Sequence, residues 1–189
     1  GYYELYGKIH SETKKIMKTY TPIHVHSHYS LLDGLTKIDD MVNKAKECGI
    51  QAMALTDHGV MFGAIEFYQK CKKAGIKPIV GVEAYIVDDL HKKEAAEEQR
   101  FHIILLAKNY KGYKNLIKLT SIAHLEGFYY KPRIDWKVLK QYSEGLICST
   151  ACLAGELSRG IMHGFDDDKL DVIIQKYLSV FGPENFYLE

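Results

Sequence analysis

From residue 22 onward, short apolar runs alternate with amphipathic stretches, and that alternation restricts the fold more than any other feature of the sequence. Residues 23–26, 51–56, 77–87, 101–107 and 145–149 read as strands, and a sixth strand starts at 185. Helical patterns lie between them, at about 36–48, 61–74, 110–125, 136–142, 153–162 and 167–180. Thr36 caps the first helix, which turns Ile38, Met41, Val42 and Ala45 inward before Gly49 ends it. The second carries Phe62, Ile65, Phe67, Tyr68 and Cys71 and stops at Gly75; the third turns Leu116, Ile117, Leu119 and Ile122 inward. Strands and helices in this order, joined by connections of this length, predict parallel crossovers and an α/β protein with a parallel sheet or barrel.

Residues 1–20 stand apart. Tyr2, Leu5, Tyr6, Ile9, Ile16, Met17 and Tyr20 recur at helical spacing, which predicts an amphipathic leader helix, weakened near Gly7, ahead of one domain over 21–189. Residues 88–100 read as a solvated loop and 127–135 as an irregular aromatic and basic loop. A hydrophobic share of 47% in 189 residues is enough for one buried core. A net charge of +1 gives no bulk argument for nucleic-acid binding, so any basic surface has to be local. Cys48, Cys71, Cys148 and Cys152 lack the spacing of a disulfide framework, which predicts a reducing, cytoplasmic setting. No apolar run approaches the length of a membrane span, and no signal core is visible.

Chemistry enters with His24-Val25-His26-Ser27-His28. Ile23 and Val25 alternate with His24 and His26, so the two imidazoles share one face of a strand. Their Cα atoms are then roughly 6.5–7 Å apart, a spacing at which both rings reach one metal ion. In parallel α/β folds, sites gather at the carboxyl ends of strands. Metal-capable residues occur at or near each of the first five predicted strands: His24, His26 and the following Asp33, then His58, Glu83, His102 and Cys152. Imidazole, carboxylate and thiolate together suit zinc, manganese or iron. Each residue also has a plainer reading. Asp57-His58 caps the next helix, Glu83 pairs with a buried lysine, His102 is an exposed strand end, and Cys152 fills the core. Recurrence at successive strands favours convergence. His10, His91, His124 and His163 carry no ligand reading, lying on helices or in a charged loop.

The motifs HVHSHYSLLDG, ALTDHGVMFGAIEFY, GIKPIVGVEAY, FHIILLAKNYKGYKNLIKL, LEGFYYKPRID and CLAGEL follow one another between His24 and Leu157. In this order they resemble the PHP (polymerase and histidinol phosphatase) domain. The branch is the one found at the N-terminus of the bacterial replicative DNA polymerase III α subunit, and the likeness runs from about residue 22 to 189.

The resemblance implies a distorted (β/α)7 barrel with up to three divalent metal ions, zinc, manganese or iron, at its mouth. By position, His24, His26 and Glu83 would hold the first ion. Glu83 would bridge to a second, held with His102 and Cys152; Asp33 and His58 would hold the third. Asp57 would support them from behind, and His28 is not assigned to the metals. The implied activity is a metal-dependent phosphoesterase, a 3′–5′ proofreading exonuclease on the 3′ end of a DNA primer strand, with His24, His26, Glu83 and His58 catalytic. Tyr129, Tyr130, Lys131 and Arg133 would touch the nucleic acid by stacking or by binding phosphate. The implied partners are DNA, the remainder of the polymerase chain, a separate proofreading exonuclease subunit and other replisome components, with no membrane; magnesium would serve the polymerase part. Two other activities fit the same fold: a non-catalytic brace that binds the exonuclease, and a small-molecule phosphatase of the histidinol-phosphatase type. The family's last motif, Asp-x-His, is expected beyond residue 189, so the barrel is expected to lack its closing strand here, and residues 1–20 are extra to the family pattern.

Overall fold

The computed structural model describes residues 20–93 and 100–189. The expected leader helix therefore lies outside the described residues. Chain contacts divide the protein into two compact units, one of residues 20–55 and 62–79, the other of 56–61 and 80–189.

The first unit holds helix α1 (Ile38–Glu47), strand β1 (Ala52–Leu55), helix α2 (Ala64–Ala74) and the start of strand β2 (Lys77–Val87). Asp39 and Asp40 in the first turn of α1, with Lys44 and Lys46 in the last, complement the helix dipole. Ile38, Met41, Val42 and Ala45 recur at i, i+3, i+4 and i+7 and are buried against Met53, Leu55, Phe67, Cys71 and Ile76. Each large side chain buried here contributes about 1.5–3 kcal/mol. Gly75 closes α2 at φ 76°, a conformation that favours glycine. The Lys77 N–H donates to the Gln51 carbonyl at 2.8 Å, which lays the start of β2 beside β1.

Two expectations for this unit change. Residues 23–26 form no regular strand. The Ala54 N–H donates to Pro22, and a series of turns at Ser27–Gly34 follows at once. Alternation fixes which way the side chains face, not whether a ladder forms. The residue before α1 is Lys37, because the Thr36 carbonyl is occupied by the His28 N–H in closing that loop. The buried face of α2 is Ala64, Phe67 and Cys71, whereas Phe62, Ile65 and Tyr68 are 68%, 60% and 49% exposed. Gly63 shows how closely this face packs. A Cβ there would stand 2.8 Å from Ile38 Cδ1 and 2.9 Å from Tyr29 Cδ2, so the helix approaches its neighbours on its smallest residues.

The second unit contains the rest of β2, strand β3 (Phe101–Ala107), helix α3 (Tyr110–Leu125), strand β4 (Arg133–Asp135) and helix α4 (Trp136–Gln141). Strand β5 (Leu146–Ser149), helices α5 (Glu156–Met162) and α6 (Asp167–Phe181) and strand β6 (Phe186–Tyr187) follow. The sheet runs β2-β3-β5-β6, with β4 beside β2. Side chains of Asn109, Asp135 and Asp166 cap α3, α4 and α6. The core packs Ile86, Ile103, Leu105, Leu116, Leu119, Ile134, Leu139 and Tyr177 between sheet and helices.

The all-parallel expectation is corrected here. β3 runs antiparallel to both β2 and β5, while β2 with β4 and β5 with β6 are parallel. An apolar run carries no direction, and an antiparallel neighbour needs no crossover helix. The mixed α/β class stands. Among the described residues, no helix is long and apolar enough to cross a membrane.

Candidate metal centre

Strand β2 carries Glu83 within an otherwise apolar run, and the carboxylate is 1% exposed. Three backbone arrangements in the second unit bring partners to it. Residues 57–59 dock alongside β2, with the Glu83 N–H donating to the Asp57 carbonyl at 3.2 Å and the Gly59 N–H to the Glu83 carbonyl at 2.8 Å. Gly59 sits at φ 65°, and a Cβ there would meet Pro132 Cγ at 2.6 Å. On the other side, the register Glu83↔Ile104 and Tyr85↔His102 puts His102 diagonal to Glu83 on the same sheet face. Because β3 is antiparallel, His102 reaches the site at the beginning of its strand. Finally, the His102 N–H donates to the Ala154 carbonyl at 3.0 Å, and the Gly155 N–H donates to the Cys152 carbonyl, which seats the loop after β5. Ala151 in that loop is left-handed at φ 58°, a strain of about 1 kcal/mol.

The result is a buried carboxylate gripped from two sides. His58 Nδ1 contacts Oε2, and His102 Nδ1 lies 2.6 Å from Oε1. Cys152 Sγ stands 3.9 Å from both Oε1 and His102 Nδ1. Ligand atoms of His58, Glu83 and His102 all fall within 4.8 Å of one another. Oxygen, nitrogen and sulfur donors converging on one point fit a borderline divalent cation such as zinc, manganese or iron. Glu83 thus has imidazole partners rather than the lysine of the plainer reading. The two imidazole side chains remain 19% exposed, so the cluster opens to solvent on their side.

The other predicted ligands lie in the first unit. The His24 and His26 rings are edge to face with centroids 5.0 Å apart, as expected for neighbours of equal parity. Asp33 is exposed in the turn that Ser30 closes by accepting its N–H at 3.1 Å. Gly34 follows, where a Cβ would collide with the Ser27 carbonyl at 1.9 Å. His28 packs on Tyr29. Asp57 is buried and contributes its carbonyl to Glu83. His124 lies 3.0 Å from the Gly59 carbonyl through Nε2, a structural post beside the cluster.

The 127–135 loop divides. Arg133 is 5% exposed, in β4, and its guanidinium donates to the carbonyls of Gly127, Lys92 and Leu90 at 2.9–3.0 Å. The phosphate role expected for it is corrected: its donors are spent inside the fold. Burial, with the nearby Arg100 charge, holds its pKa below the usual arginine value. Tyr129 and Tyr130 stack edge to face, and Tyr130 is exposed at φ 58°. Lys131 is exposed, with Nζ 5.7 Å from the Tyr85 ring centroid.

Sequence reasoning missed two residues next to the cluster. Buried Tyr85 has its ring 5.0 Å from that of His102 and 6.3 Å from that of His58. Arg100 lies over the same ring at 5.4 Å. The signal was available: Tyr85 is two residues from Glu83 on one strand, and Arg100 two before His102.

Comparison with known proteins identifies the family of the chain. The sequence profile of the PHP domain matches residues 22–189. DNA polymerase III subunit alpha of Borreliella burgdorferi is 55% identical over 171 residues, covering 88% of this chain and 15% of that protein. The corresponding subunit of Helicobacter pylori is 46% identical over 183 residues, covering 91% and 15%. The chain therefore spans about 15% of the length of these relatives. Among solved structures, a protein of Bifidobacterium adolescentis classed as a metal-dependent phosphoesterase superposes with a TM-score of 0.53 at 15% identity, covering 87% of this chain and 79% of that one. That likeness concerns the fold. With the profile matched along nearly the whole described chain, the protein belongs to the PHP domain family.

Proposed function

We propose that this chain is the PHP portion of a cytoplasmic replicative DNA polymerase III α chain, and that it hydrolyses phosphodiester bonds at the 3′ end of DNA as a metal-dependent proofreading exonuclease. One observation carries the reading: a buried carboxylate, Glu83, engaged by two imidazoles with a thiol beside them. Such a charge is costly to bury for packing alone. The residues proposed to hold divalent ions are His24, His26, Asp33, His58, Glu83, His102 and Cys152. Bound zinc, manganese or iron would supply a water acidic enough to ionise near neutral pH, and positive charge for phosphoryl oxygens. Glu83 holds the rings of His58 and His102 in fixed orientation, while Tyr129, Tyr130 and Lys131 offer stacking and charge to the strand end. In the full-length polymerase, His58→Ala and Glu83→Ala are expected to abolish manganese-dependent digestion of 3′-labelled single-stranded DNA. Persistent metal-dependent digestion by both variants would refute the reading.

A second reading has its own support. Leu31, Leu32 and Leu35 of the first unit are almost fully exposed. Apolar side chains so placed suit a brace packed on the polymerase body, an exonuclease subunit or another replisome component. Under that reading, stripping the metal lowers the melting temperature and leaves every nuclease activity of the full-length protein unchanged.

A further inference from the structure

The segment that carries His58 meets β2 at an isolated parallel bridge, His58 beside Glu83. The Asp57 carbonyl and the Gly59 N–H make the two hydrogen bonds of that bridge. Gly59 then turns the chain away at φ 65°, packed so closely that a Cβ would stand 2.6 Å from Pro132 Cγ and 3.3 Å from Tyr85 Cε2. The Gly59 carbonyl thereby leaves the ladder, and its partner comes from helix α3. Leu116, Leu119 and Ala123 of α3 are buried in the core, and Thr120 and His124 stand one turn apart beside them. Thr120 Oγ1 lies 3.9 Å from Met61 Sδ, and His124 Nε2 lies 3.0 Å from the Gly59 carbonyl oxygen. The Phe128 ring stacks along the His124 imidazole, with centroids 6.3 Å apart.

We propose that His124 is a positioning residue that holds His58 against Glu83 by donating to the Gly59 carbonyl, and that it thereby tightens the hold of the centre on a divalent ion. The second half rests on the metal reading above. A carbonyl oxygen only accepts, so the His124 Nε2 carries the proton. Glycine adopts either sign of φ at little cost, so the turn at Gly59 does not hold itself in the left-handed form. An anchor from outside the turn does that, and His124 is placed to be it. The bridge fixes the peptides on both sides of His58, and His124 fixes the next one. The His58 ring, which contacts Glu83 Oε2, is then carried on a backbone tied to both β2 and α3. Groups that orient a metal ligand from behind change affinity about 10–100-fold when removed. His124 acts through one further backbone step, which puts it at the lower end, about tenfold.

The test compares the full chain with its His124→Ala and His124→Gln variants. A glutamine amide places an N–H near where Nε2 stands, so the second variant keeps the bond and the first loses it. In EDTA, amide hydrogen exchange at Gly59 should quicken about fivefold in His124→Ala, the effect of one lost hydrogen bond, and stay near the wild-type rate in His124→Gln. Nitrogen NMR spectra of the wild type should show His124 with its Nε2 protonated. Zinc affinity, measured by competition with a chromophoric chelator, should weaken about tenfold in His124→Ala and return to the wild-type value in His124→Gln. Unchanged Gly59 exchange in His124→Ala would overturn the assignment, as would equal losses of zinc affinity in the two variants. Either result would leave the metal reading intact. A wild-type chain that binds no zinc would instead remove the metal reading, and the Gly59 exchange rates in EDTA would then decide by themselves whether His124 positions His58.

Discussion

Replacing Glu83 by glutamine separates a metal ligand from a buried ion-pair member. Glutamine has nearly the same shape. Its amide oxygen can accept from one of His58 and His102, and its NH2 can donate to the other in its neutral tautomer. The metal-free protein should therefore change by about 1 kcal/mol or less. The metal-bound protein should change far more. At a concentration of 100 times Kd, a ligand that binds only the folded state stabilises it by about 2.7 kcal/mol. Mutating a group that merely supports a metal ligand already weakens affinity about 10–100-fold, and Glu83 stands at the centre of the donor set. A 100-fold weaker affinity leaves about 0.4 kcal/mol of that stabilisation, a deficit of about 2.3 kcal/mol. For a chain of 189 residues this corresponds to about 5–9 °C in melting temperature. The assay is thermal unfolding of wild type and Glu83→Gln, stripped with EDTA and then titrated with zinc or manganese. Equal metal-induced gains in the two proteins would refute Glu83 as a ligand, and a large deficit in the stripped proteins would make it a structural ion-pair residue instead.

Three further outcomes follow from the geometry. Gly112→Ala should destabilise by about 2 kcal/mol or more in urea unfolding. The new Cβ would stand 1.9 Å from the Gly145 carbonyl oxygen, against a helix-propensity gain of only about 1 kcal/mol, and a more stable variant would contradict the packing of α3 on the β5 loop. Arg133→Lys should cost about 2–3 kcal/mol, because a point charge cannot serve the carbonyls of Leu90, Lys92 and Gly127 together, and should leave DNA affinity unchanged. In thiol titration of the native protein at pH 8, Cys48 and Cys152 should react, and zinc should protect Cys152. Cys71, pushed up to about 11 by burial, and Cys148, raised well above the usual thiol value by burial, should react only on unfolding.

Long uniform patterns were legible in the sequence. Strands over 77–87 and 101–107 and the helix over 110–125 fall where their apolar periodicity places them. The meeting of Glu83 and His102 was legible too, because both interrupt apolar runs where a polar group needs a partner. Strand direction was not. His102 was expected at a carboxyl end, and it reaches the cluster at an amino end because β3 reverses. Arg133 was misread because charge within a loop suggests exposure, whereas a guanidinium fork can satisfy several buried carbonyls at once.

The reversal of β3 also makes the stretch from 88 to 100 a natural splice site. Its flanking strands are already paired at Ile86 and Phe101, with backbones about 5 Å apart, so the ends of any insertion are held together by the ladder. The entropic penalty of a longer excursion grows only logarithmically, by about 0.6 kcal/mol for each doubling. A fluorescent protein with adjacent termini, grafted between these strands, would sit one residue from His102 and convert occupancy of the cluster into an optical signal.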